Sequence, residues 1–402
     1  MIGGEGLIPP SDSEPSRKLR VALVSSSYNY IRDGVALTLN RLVEYLERQG
    51  VEVLVFAPVA PTPAFAHKGT IVPVPSIALP MRPEYRLALG LPRALRKRLR
   101  EFDPDIIHIA VPDLLGYCAL RFALKRNVPV VASYHTRYET YLKHYWFSGM
   151  TRPVTAYLHY FYGACRELYV PSASMAEALV TGGQRNNIRL WPRGVDAVHF
   201  NPAKRSDSWR GKYGIGPDEL VILFVGRLVR EKQLHTLTAV FRELSAAGIA
   251  HRSLIVGDGP DGGTLKRQLP DGVFTGAIFG EELVTAYASS DIFLFPSDTE
   301  TFGNVTLEAM ASGLPAVCAD ATGSRSLVDV GVTGFLEKPG STADFVKPLR
   351  LLAADAELRR RMGSAARLRS LSFTWDAAMA LLLGYYTALA KSVPVRAADT
   401  RT

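Results

Sequence analysis

The feature that most constrains this chain is a series of short, mostly apolar runs separated by helical patterns, and the series occurs twice. In the first, residues 21–25, 51–56, 105–109, 128–132 and 168–170 read as strands, with a 3.6-period helix over 37–46. After residue 200 the pattern restarts with strands at 220–225, 253–256, 291–295 and 315–318, and helices over 234–244 and about 304–311. Strands without polar alternation are buried on both faces, as in parallel sheets covered by helices. Two such series predict two doubly wound, Rossmann-like α/β domains. The break falls at the Pro/Gly-rich stretch 191–202. A chain of 402 residues is long enough to give each domain its own core. Residues 1–19 read as a flexible lead-in, followed by domains at 20–198 and 199–375.

Composition excludes several classes. Cys118, Cys165 and Cys318 are scattered without paired spacing, which suits a reducing, cytoplasmic compartment and not a disulfide scaffold. No stretch approaches the ~18 apolar residues of a membrane span. No His/Cys cluster has metal-ligand spacing, so neither a metal nor a resident cofactor is expected. Asp103 and Asp105 spell a D-x-D pair, but they precede their strand and read as a turn. Charge is lopsided: up to residue 200 there are 24 Lys+Arg against 16 Asp+Glu, and thereafter 23 against 22. A basic half suggests a polyanionic partner. Nucleic acid has no motif to support it.

In open parallel sheets ligands bind beyond the carboxyl ends of strands, so the residues there are the candidates. Gly226, Arg227 and Lys232 follow one strand and place two cations where a diphosphate can lie. Gly257 and Gly259 form a tight turn after the next, where backbone can approach a ligand. After 291–295 come Glu300, Phe302, Gly303 and Asn304, which open a helix whose N–H groups suit phosphate. Val305 and Glu308 continue it. A carboxylate in such a cleft accepts two hydrogen bonds from a diol.

Glu300 and Glu308, with seven residues between them, resemble the E-x7-E signature of retaining glycosyltransferases with the two-Rossmann (GT-B) fold. The segments around Phe224–Lys232, Val256–Pro260, Phe295–Ser297, Glu308–Pro315 and Gly331–Phe335 extend the resemblance to the large family 4. Ser133–Thr136 and Arg193–Pro202 look like its sulfoquinovosyl- and glycolipid mannosyl-type members. The resemblance implies a C-terminal helix (376–402) crossing back to an acceptor-binding N-terminal domain. It implies that Arg227 and Lys232 hold the donor diphosphate and that Glu308 holds the ribose. Glu300 and the N–H groups of Phe302 to Asn304 would hold the transferred sugar and its phosphate, and His135 would contact both. Where the family has paired glycines, this chain has Asp33 and Gly34. Gly34 can still meet the diphosphate, and Asp33 would have to face an acceptor hydroxyl. Arg325 is either a salt-bridged helix residue or a contact to a charged sugar.

The activity this implies is transfer of a hexosyl unit from a nucleotide diphosphate sugar, with retention and without metal. UDP is favoured as carrier and GDP-mannose is next. A soluble or polysaccharide acceptor, a nucleotide-sugar epimerase and a non-catalytic binding protein are the alternatives. A lipid acceptor at an anionic membrane surface is expected from two features. Nine of 38 aromatics fall between Tyr141 and Tyr169, among them Tyr145 and Trp146. Leu91, Leu95 and Leu99 make an amphipathic helix whose outer face carries Arg96, Lys97 and Arg100. A peripheral position on the inner face of the cell membrane follows.

Overall fold

The computed structural model describes residues 17–79, 82–135, 151–184 and 187–392. Its first half contains β1 (Arg20–Val24), α1 (Gly34–Arg48), β2 (Glu52–Ala57), β3 (Thr70–Pro73), β4 (Ser76–Leu79), β5 (Arg82–Ala88), α2 (Arg93–Phe102) and β6 (Ile106–Ile109). It continues with α3 (Leu114–Lys125), β7 (Val130–Ser133), α4 (Thr151–Gly163), β8 (Glu167–Val170), α5 (Ala173–Thr181) and β9 (Asn187–Leu190). The second half runs α6 (Asp207–Lys212), β10 (Val221–Val225), α7 (Leu234–Ala246), β11 (Arg252–Val256), α8 (Gly262–Gln268), β12 (Val273–Gly276), α9 (Gly280–Ala288) and β13 (Ile292–Phe295). Then follow α10 (Asn304–Ala311), β14 (Ala316–Ala319), α11 (Thr322–Arg325), β15 (Gly334–Glu337), α12 (Thr342–Ala354), α13 (Ala356–Ser370) and α14 (Trp375–Ser392).

These elements build two parallel sheets. One has seven strands in the order β3-β2-β1-β6-β7-β8-β9, the other six in the order β12-β11-β10-β13-β14-β15. In each, the chain starts near the middle and winds out both ways, the doubly wound pattern expected from the two strand series. The central strands β1, β6, β7, β10 and β13 are buried almost throughout, as their continuous apolar runs require. The edge strands β3, β9, β12 and β15 are partly exposed and carry no such run, so the apolar pattern alone does not reveal them.

Helix α1 shows how local sequence sets up the cleft. Ala36, Leu39, Leu42, Val43 and Leu46 are buried at helical spacing. Asp33 caps its start, Oδ1 accepting from Ala36 N at 2.8 Å. Cutting this cap would free an N–H at the very turn that faces the other sheet.

Helix α14 packs against the first half: Met379, Leu382 and Tyr386 join a core formed by residues of β1, α1 and β2. The Tyr386 hydroxyl also hydrogen-bonds Nδ1 of the fully buried His108, whose Nε2 meets Ser133 Oγ at 2.6 Å. Burial depresses His108 to about 3, so it is a neutral bridge between strand and helix. The linker passes close by. A Cβ on Gly194 would lie 2.2 Å from Trp375 N, so only glycine fits where the chain crosses.

Candidate active site

The carboxyl ends of the two sheets face each other, and most of the predicted residues converge there. On the second half, Lys232 Nζ ion-pairs with Glu300 Oε1, with Ser297 Oγ at 3.5 Å from the same oxygen. Both partners are largely enclosed, and the ammonium also lies 5.6 Å from the Phe295 ring centroid. The Glu300 backbone is fixed in turn, its carbonyl accepting from Gly323 N at 2.9 Å and Thr322 Oγ1 at 2.7 Å. A Cβ on Gly323 would come 2.8 Å from the Cβ of Glu300, so this glycine lets the loop and α11 touch.

Gly303 begins α10 with φ 96°, a left-handed conformation that suits glycine, and no side chain caps the helix. Its first-turn N–H groups therefore remain open to an anion. Phe302 turns its ring into the core, 6.2 Å from Phe373, and Val305 is half-buried behind it. Asn304 points at the opposite half, its Nδ2 3.4 Å from where a Cβ on Gly34 would stand. The N-termini of α1 and α10 thus meet across the cleft with no side chain between them at Gly34.

Glu308 lies one turn into α10. Tyr287 donates to its Oε2 at 2.9 Å. Burial pushes its carboxyl up to about 7, against the opposing pull of the Tyr287 hydrogen bond and of Arg41 from α1. Arg41 itself lies over the Trp375 ring at 4.9 Å.

His135 follows β7 in the first half. Arg193 Nη2 meets its Nδ1 at 2.9 Å, so Nδ1 is the acceptor and Nε2 carries the proton. Burial, then Arg193, then His108 hold His135 well below the usual histidine range. Its Nε2 and Asn304 Oδ1 are both closed off from water and without a hydrogen-bond partner. Both atoms have hydrogen-bonding capacity left over for a polar ligand. The His135 carbonyl accepts from Thr301 Oγ1 at 3.1 Å, and Ser172 Oγ donates to the Thr301 carbonyl at 2.9 Å, tying the two halves together beside Glu300.

Other residues fall differently. Arg227 donates from Nη1 to the Tyr85 hydroxyl at 3.1 Å, reaching across to β5, and its Nη2 lies 3.8 Å from the buried Glu231. Gly226 abuts the Phe224 ring. The turn at Gly257 and Gly259 packs closely on the neighbouring loop. A Cβ on Gly257 would be 1.9 Å from Gly226 O, and one on Gly259 2.4 Å from Leu228 O. Asp33 is occupied as a helix cap, with Oδ2 accepting from Ser27 Oγ at 3.0 Å. Arg325 makes a two-pronged ion pair with Asp320, which selects its salt-bridged reading. Asp103 ends α2 in the left-handed region, and Asp105 accepts from Arg20 N, as a turn reading requires. Arg96, Lys97 and Arg100 are exposed on α2, and Tyr145 and Trp146 lie outside the described residues. Phe161, Tyr162 and Tyr169 are core residues, whereas Tyr160 is exposed. Sequence reasoning missed Tyr85, Arg41 and Tyr287, which carry no local signature; Arg193 stood inside a quoted segment without a role.

The facing sheet ends bring together an open helix N-terminus, two cations and two carboxylates. With two Rossmann-like sheets around them, this defines a GT-B glycosyltransferase using sugar nucleotides. Residues 32–199 match the Glycosyltransferase Family 4 domain and residues 205–369 match Glycosyl transferases group 1. The chain is 35% identical to sulfoquinovosyl transferase SQD2 of Arabidopsis thaliana, over 92% of this chain and 74% of that protein. It is 38% identical to a GDP-mannose-dependent alpha-mannosyltransferase of Mycobacterium tuberculosis (strain CDC 1551 / Oshkosh), over 92% and 97%. It is 27% identical to alpha-monoglucosyldiacylglycerol synthase of Acholeplasma laidlawii, over 74% and 80%. Sucrose-phosphate synthase from Thermosynechococcus elongatus shares the fold, with a TM-score of 0.77 at 21% identity over 94% of this chain and all of that one. The chain belongs to glycosyltransferase family 4.

Proposed function

We propose that this enzyme transfers a hexosyl unit, with retention, from a nucleotide diphosphate sugar to the hydroxyl of a lipid. The observation that carries the donor side is the pair of enclosed, unpartnered atoms, His135 Nε2 and Asn304 Oδ1, flanking the open N-terminus of α10. In this reading the N–H groups of α10, Arg227 and Lys232 take the diphosphate. Charge developing on the leaving phosphate is stabilised by groups already in place, and no metal is needed. Gly34 lets the first turn of α1 approach from the other side. Glu308 accepts the ribose diol once it is ionised. Glu300 and the His135 Nε2–H orient the transferred hexose.

Glu300 Oε1 is already engaged by Lys232 and is not poised as a free nucleophile. A front-face reaction fits better. The acceptor oxygen bonds to the anomeric carbon as the carbon–phosphate-oxygen bond breaks, and the departing phosphate oxygen takes the acceptor proton. UDP remains the favoured carrier from the family resemblance; the relative named for GDP-mannose supports GDP as the second reading. The diacylglycerol in another relative's name supports the lipid acceptor, as do the exposed cations of α2. Incubation with radiolabelled UDP- and GDP-sugars, with and without lipid extract, tests this. Label entering the organic phase is the expected result. Epimerised free donor, or saturable binding without turnover, would replace it with an epimerase or a binding protein.

A further inference from the structure

We infer that the outward face of the β4–β5 hairpin enters an anionic lipid surface and seats the cleft mouth against it, an inference that rests on the lipid-acceptor reading above. The two strands form a separate antiparallel pair with Ile77 opposite Leu87. The ladder extends by a bond from Leu89 N to Pro75 O at 2.8 Å. Alternation then puts Ile77, Leu87 and Leu89 on one face, while Val74 and Ala88 point to the core; Leu79 lies past a register shift after Ala78 and is exposed as well. Ile77, Leu79, Leu87 and Leu89 are exposed by 50%, 37%, 41% and 49%, and the two inward side chains by 3% and 0%. A half-exposed antiparallel pair ordinarily turns polar residues outward. Here the outward row is aliphatic.

Neighbouring elements widen this ridge. Leu89 adjoins Gly90, whose Cβ would stand 3.7 Å from Cγ of Leu114, itself half exposed. Leu114 lines an open cavity of ≈ 620 Å³ with Tyr117, Tyr157 and Tyr160. Contiguous apolar surface of this kind marks an interaction site. Charge identifies the occupant. Helix α2 begins four residues after Leu89 and exposes Arg93, Arg96, Lys97, Arg98 and Arg100. Among the described residues one carboxylate is within ion-pair distance of these cations, Glu101 at 3.8 Å from Lys97. Aliphatic side chains beside unneutralised cations match acyl chains beneath anionic headgroups. The position is also suitable: Tyr85, two residues before Leu87, is the residue that meets Arg227 at the cleft.

Co-sedimentation of the full chain with phosphatidylcholine vesicles, with and without phosphatidylglycerol, tests the inference. The double variant Leu87→Ser/Leu89→Ser should bind phosphatidylglycerol vesicles about tenfold or more weakly at any salt concentration. Arg96→Glu/Lys97→Glu/Arg100→Glu should remove the salt-sensitive part. Both should keep the parental Tm. A Leu87→Trp variant should show additional indole quenching by lipids brominated in their acyl chains. Parental vesicle binding by the serine pair, or no additional quenching, overturns the inference. Self-association through this face without lipid binding also overturns it, in favour of a second copy of the chain. Sugar transfer to vesicle lipid that is equal in the parent and the serine pair removes the inference and leaves the enzymatic reading intact. Hairpin-dependent binding without any labelled lipid removes the lipid-acceptor reading and supports the contact.

Discussion

Asn304 Nδ2 lies 3.4 Å from the point where a side chain on Gly34 would begin, so the Asn304 side chain of α10 reaches the start of α1 with little more than the room of one methyl group between them. Gly34 is exposed, sits in an ordinary helical conformation and has no backbone need to be glycine. Its smallness keeps the cleft open.

Gly34→Ala should leave Tm near the parental value, because Gly34 is the first residue of α1 and helix propensity acts mainly in helix interiors. Gly34→Val should leave Tm near the parental value but raise the KM for donor, because the branched side chain fills the space between the helices. Thermal melts and steady-state kinetics check the two together. A lower Tm with unchanged KM would make the glycine structural.

Lys232 and Glu300 form a largely enclosed ion pair on the donor side. Lys232→Ala should lower kcat by about 10²–10³, the scale of losing one preorganised charge at a leaving group. Glu300→Gln should lower kcat through sugar positioning. Intact mass spectrometry of the parent and of Lys232→Ala with donor should show no glycosyl adduct; an adduct on Glu300 would mean a covalent mechanism.

Glu308 gives a pH signature. Its folded carboxyl is raised to about 7, so it is protonated at pH 6 and charged at pH 8. The stability it contributes is full below the ordinary carboxyl range near 4.5 and is lost as pH rises through about 7. Binding runs the other way, since the ionised form accepts both ribose hydroxyls. The donor KM should fall between pH 6 and 8, with protons released on nucleotide binding. Glu308→Gln should flatten both effects. Titration calorimetry in buffers of different ionisation enthalpy measures the protons.

Gly257 is a stability site near the cleft. Its φ of +137° and the 1.9 Å approach of a Cβ to Gly226 O leave no room for alanine. Gly257→Ala should cost about 3 kcal/mol or more and lower Tm by roughly 10 °C. A melt within a degree or two of the parent would contradict this geometry.

The two sheets were legible because buried parallel strands are apolar on both faces, as 221–225 and 292–295 are. The hairpin 76–88 was not, because Pro80 and Pro83 interrupt its run and the ladder shifts register between Ala78 and Leu79. Gly303, Asn304 and Glu308 could be found because a strand-end loop running into a helix is a local pattern. Tyr85, Arg41 and Arg193 act through contacts made only after folding. Arg193 meets a histidine 58 positions away, and Arg41 acts on Glu308 from the other half. At Gly257 and Gly259 the small residues read from the sequence as a tight turn also let one loop pack on another.

The most direct test of the central claim is proton NMR of the reaction with an α-configured sugar nucleotide and lipid acceptor in the presence of excess EDTA. The expected result is an α-linked glycolipid formed in step with free nucleoside diphosphate, at a rate that chelation leaves unchanged. A β-linked product, or nucleoside diphosphate released without glycolipid, would contradict it.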